Sequence, residues 1–218
     1  MQRLRLKFRR GEEVKFVSHL DIVRSWDRVF RRAKVPLAYS CGFTPRPRIS
    51  VAAPLAVGVI GEAELMDIWL DRWMPPQSLV MMVDSELSDG FGILDACEVG
   101  LELPSLQSGL AFAEYRVAVM SDKGEQWVKD SLSSLLQTGE LNWRHTRGTK
   151  ERSYDLRALI CDLWLVECHG NLYVLGMKLR CGASGSGRPE QVVAALGFPE
   201  YPEWIRRTGI ALTGDLGT

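Results

Sequence analysis

The chain has 218 residues, of which 46% are hydrophobic and 25% are charged. These proportions are typical of globular proteins and exclude the disordered, collagen-like and fibrous classes. The length fits one large domain or two of about 100 residues, each able to bury a core. No apolar run approaches the roughly 18 residues of a membrane span, and the basic start of the chain lacks the apolar stretch of a secretory signal. We therefore expect no membrane association and a cytoplasmic location.

The formal net charge is zero, but the charges are distributed unevenly along the chain. Residues 1–50 hold 13 Lys or Arg and 4 Asp or Glu, whereas residues 51–105 hold one basic residue and 10 acidic ones. Two interpretations stay open. The two segments neutralise each other within one domain, or the first 50 residues build a binding site for a polyanion.

The first half of the sequence predicts the element order β-α-β-β-α-β. Apolar residues alternate with Arg and Lys over residues 3–9, as in a half-buried strand with a cationic outer face, and residues 14–17 can continue this strand. A helix is predicted from Ser18 to Lys34, because Ser18 and Asp21 form a capping box. The other predicted elements are strands at about 49–53, 64–70 and 92–99 and a helix at about 76–87.

The same order of elements recurs in the second half, after a predicted linker over residues 104–111. The predicted strands are at about 113–119, 141–146, 161–168, 171–181 and 203–212, and the predicted helices are at about 124–136 and 189–196. Residues 147–160 are assigned no element. The predicted fold is α+β and tandem ferredoxin-like, with antiparallel sheets and helices packed on one face. The halves span residues 1–103 and 112–218.

The predicted helix carries a cationic face opposite its apolar arc, and only Arg31 has an acidic residue, Asp27, four positions away. Arginine forks onto phosphates, and aromatic rings stack on bases. The basic strand and a loop rich in proline extend this surface. The side chains predicted to contact RNA are Arg5, Lys7, Arg24, Arg28, Arg31, Arg32, Arg46 and Arg48, with Tyr39 and Phe43 as stacking partners. An ordinary solvated helix face remains the alternative.

A glycine-rich segment over residues 182–189 is predicted to connect a strand to a helix. Backbone amides there can cradle an anion, which makes Gly185, Gly187 and Arg188 candidate anion-binding residues. The segment lacks the Lys-Ser/Thr pair of a nucleotide P-loop, so a flexible connection is the alternative.

His19 directly follows the predicted helix cap, where free N–H groups favour an anion. A histidine in this place can act as a general acid or base in RNA cleavage, which makes His19 the candidate catalytic residue. Its position within the apolar arc of the helix favours a structural histidine instead.

The five cysteines are odd in number and scattered, which argues against a disulfide framework. They include no C-x-x-C pair and no zinc or iron–sulfur spacing. We therefore predict no metal and no cofactor on this chain.

Several segments resemble a known bacterial family, the radical-SAM-linked (radical-SAM-associated) domain of unknown function. They are residues 16–21, 31–33, 36–50, 54–59 and 188–190. The resemblance implies a partner radical SAM protein, fused or encoded nearby, that carries the iron–sulfur cluster and S-adenosylmethionine. The sequence departs from the family where Thr44-Pro45-Arg46-Pro47 replaces the usual Asn-Pro-His-Pro.

These observations predict an RNA-binding accessory module that works with a partner radical SAM enzyme in the modification or processing of a tRNA or rRNA. One alternative is a metal-independent endoribonuclease that uses His19 and resembles RNA-processing proteins of CRISPR systems. The other is a purely structural partner of the radical SAM protein.

Overall fold

The computed structural model describes residues 1–147, 150–182 and 185–213, with the backbone alone at 145–147 and 150–152. The chain divides into two compact units. Unit 1 is Met1–Leu110 together with Leu212 and Thr213, and unit 2 is Ala111–Ala211. Residues 214–218 of the predicted second half lie outside the described residues.

Unit 1 has the predicted order β-α-β-β-α-β. Its elements are β1 (Gln2–Arg10), α1 (His19–Arg32), β2 (Ile49–Val51), β3 (Val59–Leu70), α2 (Pro76–Asp84) and β4 (Phe91–Val99). The strands lie in the order β2-β3-β1-β4, and these neighbours pair antiparallel. β3 begins five residues earlier than the predicted strand at 64–70.

The core of unit 1 lies between β1 and the two helices. Leu4, Leu6 and Phe8 alternate inward along β1 and are buried, as their period of two predicts. Trp26 of α1 packs edge-on against Phe8, with ring centroids 5.2 Å apart. It stacks on Phe30 at 5.5 Å. This face of α1 is the predicted apolar arc.

The capping box at the start of α1 is confirmed. The Asp21 N–H donates to Ser18 Oγ at 3.3 Å, and the Ser18 hydroxyl donates to the Asp21 carboxylate at 2.8 Å. The first of these contacts satisfies the Asp21 N–H, which has no partner inside the helix.

The prediction that residues 14–17 continue the first strand is wrong. Residues Glu12–Val14 form a 3₁₀-helix. The buried guanidinium of Arg10 donates to the carbonyls of Val14, Lys15 and Val17, the last at 2.6 Å. One arginine therefore holds the turn that leads into α1.

The segment predicted as a linker is an ordered part of the fold. Leu106–Gly109 form a 3₁₀-helix, and Leu106 is buried. The Gln107 amide donates to Ser50 Oγ at 2.9 Å. These contacts attach the segment to β2.

Unit 2 repeats the strand order of unit 1 and adds a hairpin. Its elements are β5 (Leu110–Met120), α3 (Glu125–Gln137), β6 (Asn142–Arg147), β7 (Lys150–Asp155), β8 (Ile160–His169), β9 (Leu172–Gly182), β10 (Gly185–Ser186), α4 (Pro189–Ala195) and β11 (Trp204–Leu212). The main strands lie in the order β8-β9-β5-β11. Among the strands of the described residues, β6 and β7 pair only with each other. β7 lies in the segment to which the sequence assigns no element.

The described residues form a mixed α+β protein with antiparallel sheet pairing and four α-helices, which confirms the predicted class. Within those same ranges, none of the helices combines the length and the apolar character that a membrane crossing requires.

Phe30→Ala is expected to lower the free energy of unfolding by about 3 to 5 kcal/mol, because it leaves a cavity beside Trp26 in the unit 1 core. Phe16→Ala is the matched control, since Phe16 is largely exposed. Chemical denaturation of both variants measures the difference. Equal losses would mean that the core does not lie where the structure places it.

Candidate nucleic-acid interface

The outer face of β1 is less cationic than its sequence indicates, because a buried carboxylate holds two of its arginines. Arg3 donates to Asp67 Oδ2 through Nε at 2.9 Å and through Nη2 at 2.5 Å. Arg5 Nε donates to Asp67 Oδ1 at 2.9 Å. Arg3 and Asp67 are both buried. Arg5 is therefore largely committed to the fold, whereas Lys7 is exposed.

The arginine face of α1 is also largely paired, because Arg24 and Arg32 have acidic partners at spacings other than four. Arg24 donates to Asp21 at 2.8 Å, Arg31 to Asp27 at 2.9 Å, and Arg32 to Glu86 at 2.9 Å. Arg32 also donates to the Glu86 carbonyl. Arg28 is exposed and has no ion-pair partner among the residues that the structure describes.

Two of these ion pairs change the pKa values of their members. The hydrogen bond from Ser18, followed by that from Arg24, lowers the pKa of Asp21 below its ordinary value. The hydrogen bond to Asp27 is the main cause that raises the pKa of Arg31, and Tyr39 adds to this shift. Tyr39 therefore interacts electrostatically with Arg31.

The proline-rich loop spans residues 40–46, and its two ends are joined by hydrogen bonds. The Ser40 N–H donates to the Arg46 carbonyl at 2.9 Å, and the Arg46 N–H donates to Ser40 Oγ at 3.0 Å. Tyr39 pairs with Pro47 below this closure. Every residue from 40 to 46 is exposed, and the Phe43 ring at the tip is fully exposed.

The loop and the helix together form one surface, which we call the loop–helix surface. Tyr39 links the two elements, since it lies at the base of the loop and beside Arg31. Arg46 is exposed and, like Arg28, has no ion-pair partner in the described ranges. The members of the loop–helix surface are Arg28, Arg31, Tyr39, Phe43 and Arg46.

Arg48 has a different role from Arg46, although both lie in the proline-rich segment. Its guanidinium lies over the Trp69 ring, 4.7 Å from the centroid, and Arg3 lies 5.1 Å from the same centroid. These cation–π contacts attach the segment to β3. Arg48 therefore supports the loop.

His19 is the first residue of α1 and is half-buried. It is the only histidine of unit 1, since His145 and His169 belong to unit 2. Within the described residues, no three His, Cys, Asp or Glu side chains come together as a metal site. The role of His19 in catalysis stays a prediction.

The glycine-rich segment forms a tight turn from β9 into β10, and its residues 183 and 184 lie outside the described residues. The Gly187 N–H donates to the Arg180 carbonyl at 2.9 Å, and the Gly182 N–H to Ser186 Oγ at 3.4 Å. A Cβ at Gly187 would lie 3.0 Å from Leu179 Cβ. Gly185 has φ +136°, and Arg188 is exposed before α4. Close packing against Leu179 therefore explains why residue 187 is a glycine. Two backbone N–H groups of the predicted anion site already donate hydrogen bonds within the protein.

The sequence analysis missed Asp67 and Glu86 as the partners of Arg3 and Arg32. Asp67 stands alone as a charge in the apolar run Leu65–Leu70 of β3, and a charge in such a run indicates a buried ion pair. The acidic excess of residues 51–105 is the second signal. The charge asymmetry is thus partly neutralised inside unit 1.

This arrangement defines a mixed α+β protein with a cationic and aromatic surface on unit 1. A family model described as an uncharacterized protein conserved in bacteria (DUF2344) matches residues 3–189. The chain belongs to this family. None of the curated proteins is similar enough in sequence to count as a relative.

Solved structures share the fold at low sequence identity. A chain of the crystal structure titled a Cbf5-Nop10-Gar1 complex aligns with a TM-score of 0.52 and 12% identity, over 96% of this chain and 48% of that chain. A chain of the archaeal box H/ACA sRNP Nop10-Cbf5 complex aligns with a TM-score of 0.49, at the same identity and coverage. The present chain thus spans about half the length of the chains it matches.

Asp67→Asn is expected to lower the free energy of unfolding by about 3 to 5 kcal/mol, because it leaves the buried Arg3 charge without its carboxylate. Asp27→Asn is the control, since it removes an equal charge from an exposed pair with Arg31, and we expect a much smaller effect. Urea denaturation of both variants measures the two losses in the free energy of unfolding. A variant at Asp67 as stable as the parent would show that the pair does not hold the strands together.

Proposed function

We propose that the chain is an RNA-binding module and that the loop–helix surface contacts the RNA. The observation that carries this proposal is the fully exposed ring of Phe43 in the same loop as Arg46, an exposed cation without an ion-pair partner in the described residues. Rings and cations on one surface are the chemistry that binds unpaired bases and their phosphates.

The ion pairs divide the predicted RNA contacts into two groups. Arg5, Arg24 and Arg32 are engaged by carboxylates, and an RNA phosphate would have to compete for them. Arg28 and Arg46 form no ion pair in the described residues, so a phosphate does not have to displace a hydrogen-bonded carboxylate from them. We therefore assign the main phosphate contacts to Arg28 and Arg46, and base stacking to Tyr39 and Phe43.

We also propose that both units are ferredoxin-like, so that the chain is a tandem of this fold. In unit 1 the order β2-β3-β1-β4 and in unit 2 the order β8-β9-β5-β11 place the second, third, first and fourth main strands side by side. The β6–β7 hairpin is then an insertion into the second unit. The likeness in fold to a chain of the Cbf5-Nop10-Gar1 complex supports a common architecture over almost the whole chain.

The resemblance to the radical-SAM-linked family extends the proposal to a partner. The RNA, a tRNA or rRNA, would be presented to a radical SAM protein that carries the iron–sulfur cluster and S-adenosylmethionine. This chain would supply recognition, and the partner would supply the chemistry. The replacement of the usual loop histidine by Arg46 keeps an anion contact, which fits recognition better than catalysis in the loop.

Arg28→Glu combined with Arg46→Glu is expected to weaken binding to bacterial tRNA and rRNA across many sequences. Each lost phosphate contact should also flatten the slope of log K against log salt by roughly 0.7 to 0.9. The fold should survive, because both side chains are exposed and form no ion pair in the described ranges. Filter binding at several salt concentrations measures both effects.

Arg72→Glu combined with Lys123→Glu is the matched control, since it changes the net charge equally at exposed positions outside the first 50 residues. Lys129 is less suitable, because it pairs with Glu125 at 2.6 Å. Equal losses from both double variants would mean that only bulk charge matters. No loss from either would contradict the RNA proposal and favour a structural partner of the radical SAM protein.

A further inference from the structure

The sheet of unit 2 has one buried face and one face that is open on part of its area, which we call the open face. Along β9, Leu175, Met177 and Leu179 are buried, whereas Lys178 and Arg180 alternate with them and are accessible. Residues paired across antiparallel strands share a face. From the register, the open face carries Phe112, Glu114 and Arg116 of β5, Gly176, Lys178 and Arg180 of β9, and Asp162 and Trp164 of β8.

Trp164 lies on this open face and packs against a glycine of the neighbouring strand. It pairs with Gly176, and a Cβ on Gly176 would lie only 2.0 Å from Trp164 Cε2. The indole therefore lies directly against the backbone of β9, where no larger residue fits beneath it. Its outer side remains in solvent, with 39% of the residue exposed. A held and exposed indole is a stacking platform.

A cationic cleft of about 660 Å³ lies on the same face. It is lined by Phe112, Arg157, Cys161, Lys178 and Arg180, with Asp162 as its acidic residue. The Lys178 ammonium lies 5.1 Å from the centroid of the Phe112 ring and 3.9 Å from the Glu114 carboxylate.

Two further arginines set the charge of this cleft. The Arg157 guanidinium is fixed by the carbonyls of Leu136 and Ile160, the latter at 2.7 Å. It therefore supplies a charge of fixed position. The Arg180 side chain is exposed and has no ion-pair partner among the described residues. The cleft thus carries more positive than negative charge and complements an anion.

We propose that the open face of unit 2 binds single-stranded RNA, with a base stacked on Trp164 and a phosphate in the cleft at Lys178 and Arg180. The proposal rests on the RNA binding proposed above but uses a different surface. An exposed ring on an open sheet can stack only on unpaired bases, because the bases of a duplex stack on each other. Stacking accepts every base, so we expect little sequence preference.

The test is a fluorescence anisotropy titration of the full chain with a short fluorescein-labelled oligouridine. Trp164→Ala should weaken binding by about tenfold or more, as expected for the loss of one stacked base. Arg180→Glu should weaken binding and flatten the slope of log K against log salt by roughly 0.7. Trp73→Ala and Arg72→Glu remove exposed side chains of the same types from unit 1 and should leave the affinity unchanged. A duplex RNA of equal length should compete poorly.

If Trp164→Ala lowers the stability of the protein, Arg180→Glu tests the proposal instead. The Arg180 side chain is exposed, so its substitution removes no core packing. Parental affinity in Arg180→Glu would overturn the proposal. If a variant of this face bound RNA normally but no longer bound a protein partner, the face would be a protein interface. That result would also overturn the proposal. The proposal for unit 1 is judged separately by Arg28 and Arg46, so each surface can fail alone.

Discussion

The carboxylate of Asp67 is the constraint on which the cationic half of the molecule depends. It is completely buried and accepts hydrogen bonds from Arg3 and Arg5 on the neighbouring strand β1. A charge in this position is tolerated only when it is paired. The ion pair therefore depends on the register between β1 and β3, and it lowers the positive charge on the outer face of β1. It also shows that Arg5, a predicted RNA contact, is part of the fold together with Arg3.

The same division applies to the rest of the basic segment. Arg10 holds the turn before α1, Arg32 attaches α1 to Glu86 beyond α2, and Arg48 lies on Trp69. Each of these cations has a structural contact. Arg28 and Arg46 remain available to an outside anion in the described ranges, and they lie on the surface that also exposes Phe43. The polyanion hypothesis is thus narrowed to a few side chains, while six of the basic residues have ion-pair partners inside unit 1, namely Arg3, Arg5, Lys15, Arg24, Arg31 and Arg32.

Local signals in the sequence predicted the elements of unit 1 well. The Ser18 cap and the alternation of Leu4, Leu6 and Phe8 act within a few residues, and both are present in the structure. The pairing of Arg3 with Asp67 joins residues 64 positions apart and depends on strand register, which no local pattern reveals. Of the β6–β7 hairpin, β6 matches the predicted strand at 141–146, whereas β7 was missed because few apolar residues alternate along it.

The candidate sites show the same limit. The sequence placed Tyr39 and Phe43 near the helix arginines as a group, but the contact of Tyr39 with Arg31 needed the folded loop. The open face of unit 2 escaped notice because its residues come from three strands, and the strand order brings them together. Nothing in the sequence distinguishes Gly176 from other glycines, because its contact with Trp164 forms only in the folded sheet. Composition indicated a binding surface, and tertiary pairing decided which residues form it.

The most direct measurement of the central claim is protection of Cys41 from a maleimide by bacterial tRNA. Cys41 is exposed within the proline-rich loop, and Cys168 is an exposed thiol of unit 2 that serves as the internal reference. Burial raises the pKa of Cys97 and of Cys161, so these thiols react more slowly. If the loop–helix surface binds RNA, saturating tRNA slows the modification of Cys41 and leaves that of Cys168 unchanged. Equal rates at Cys41 with and without bound tRNA would contradict the account.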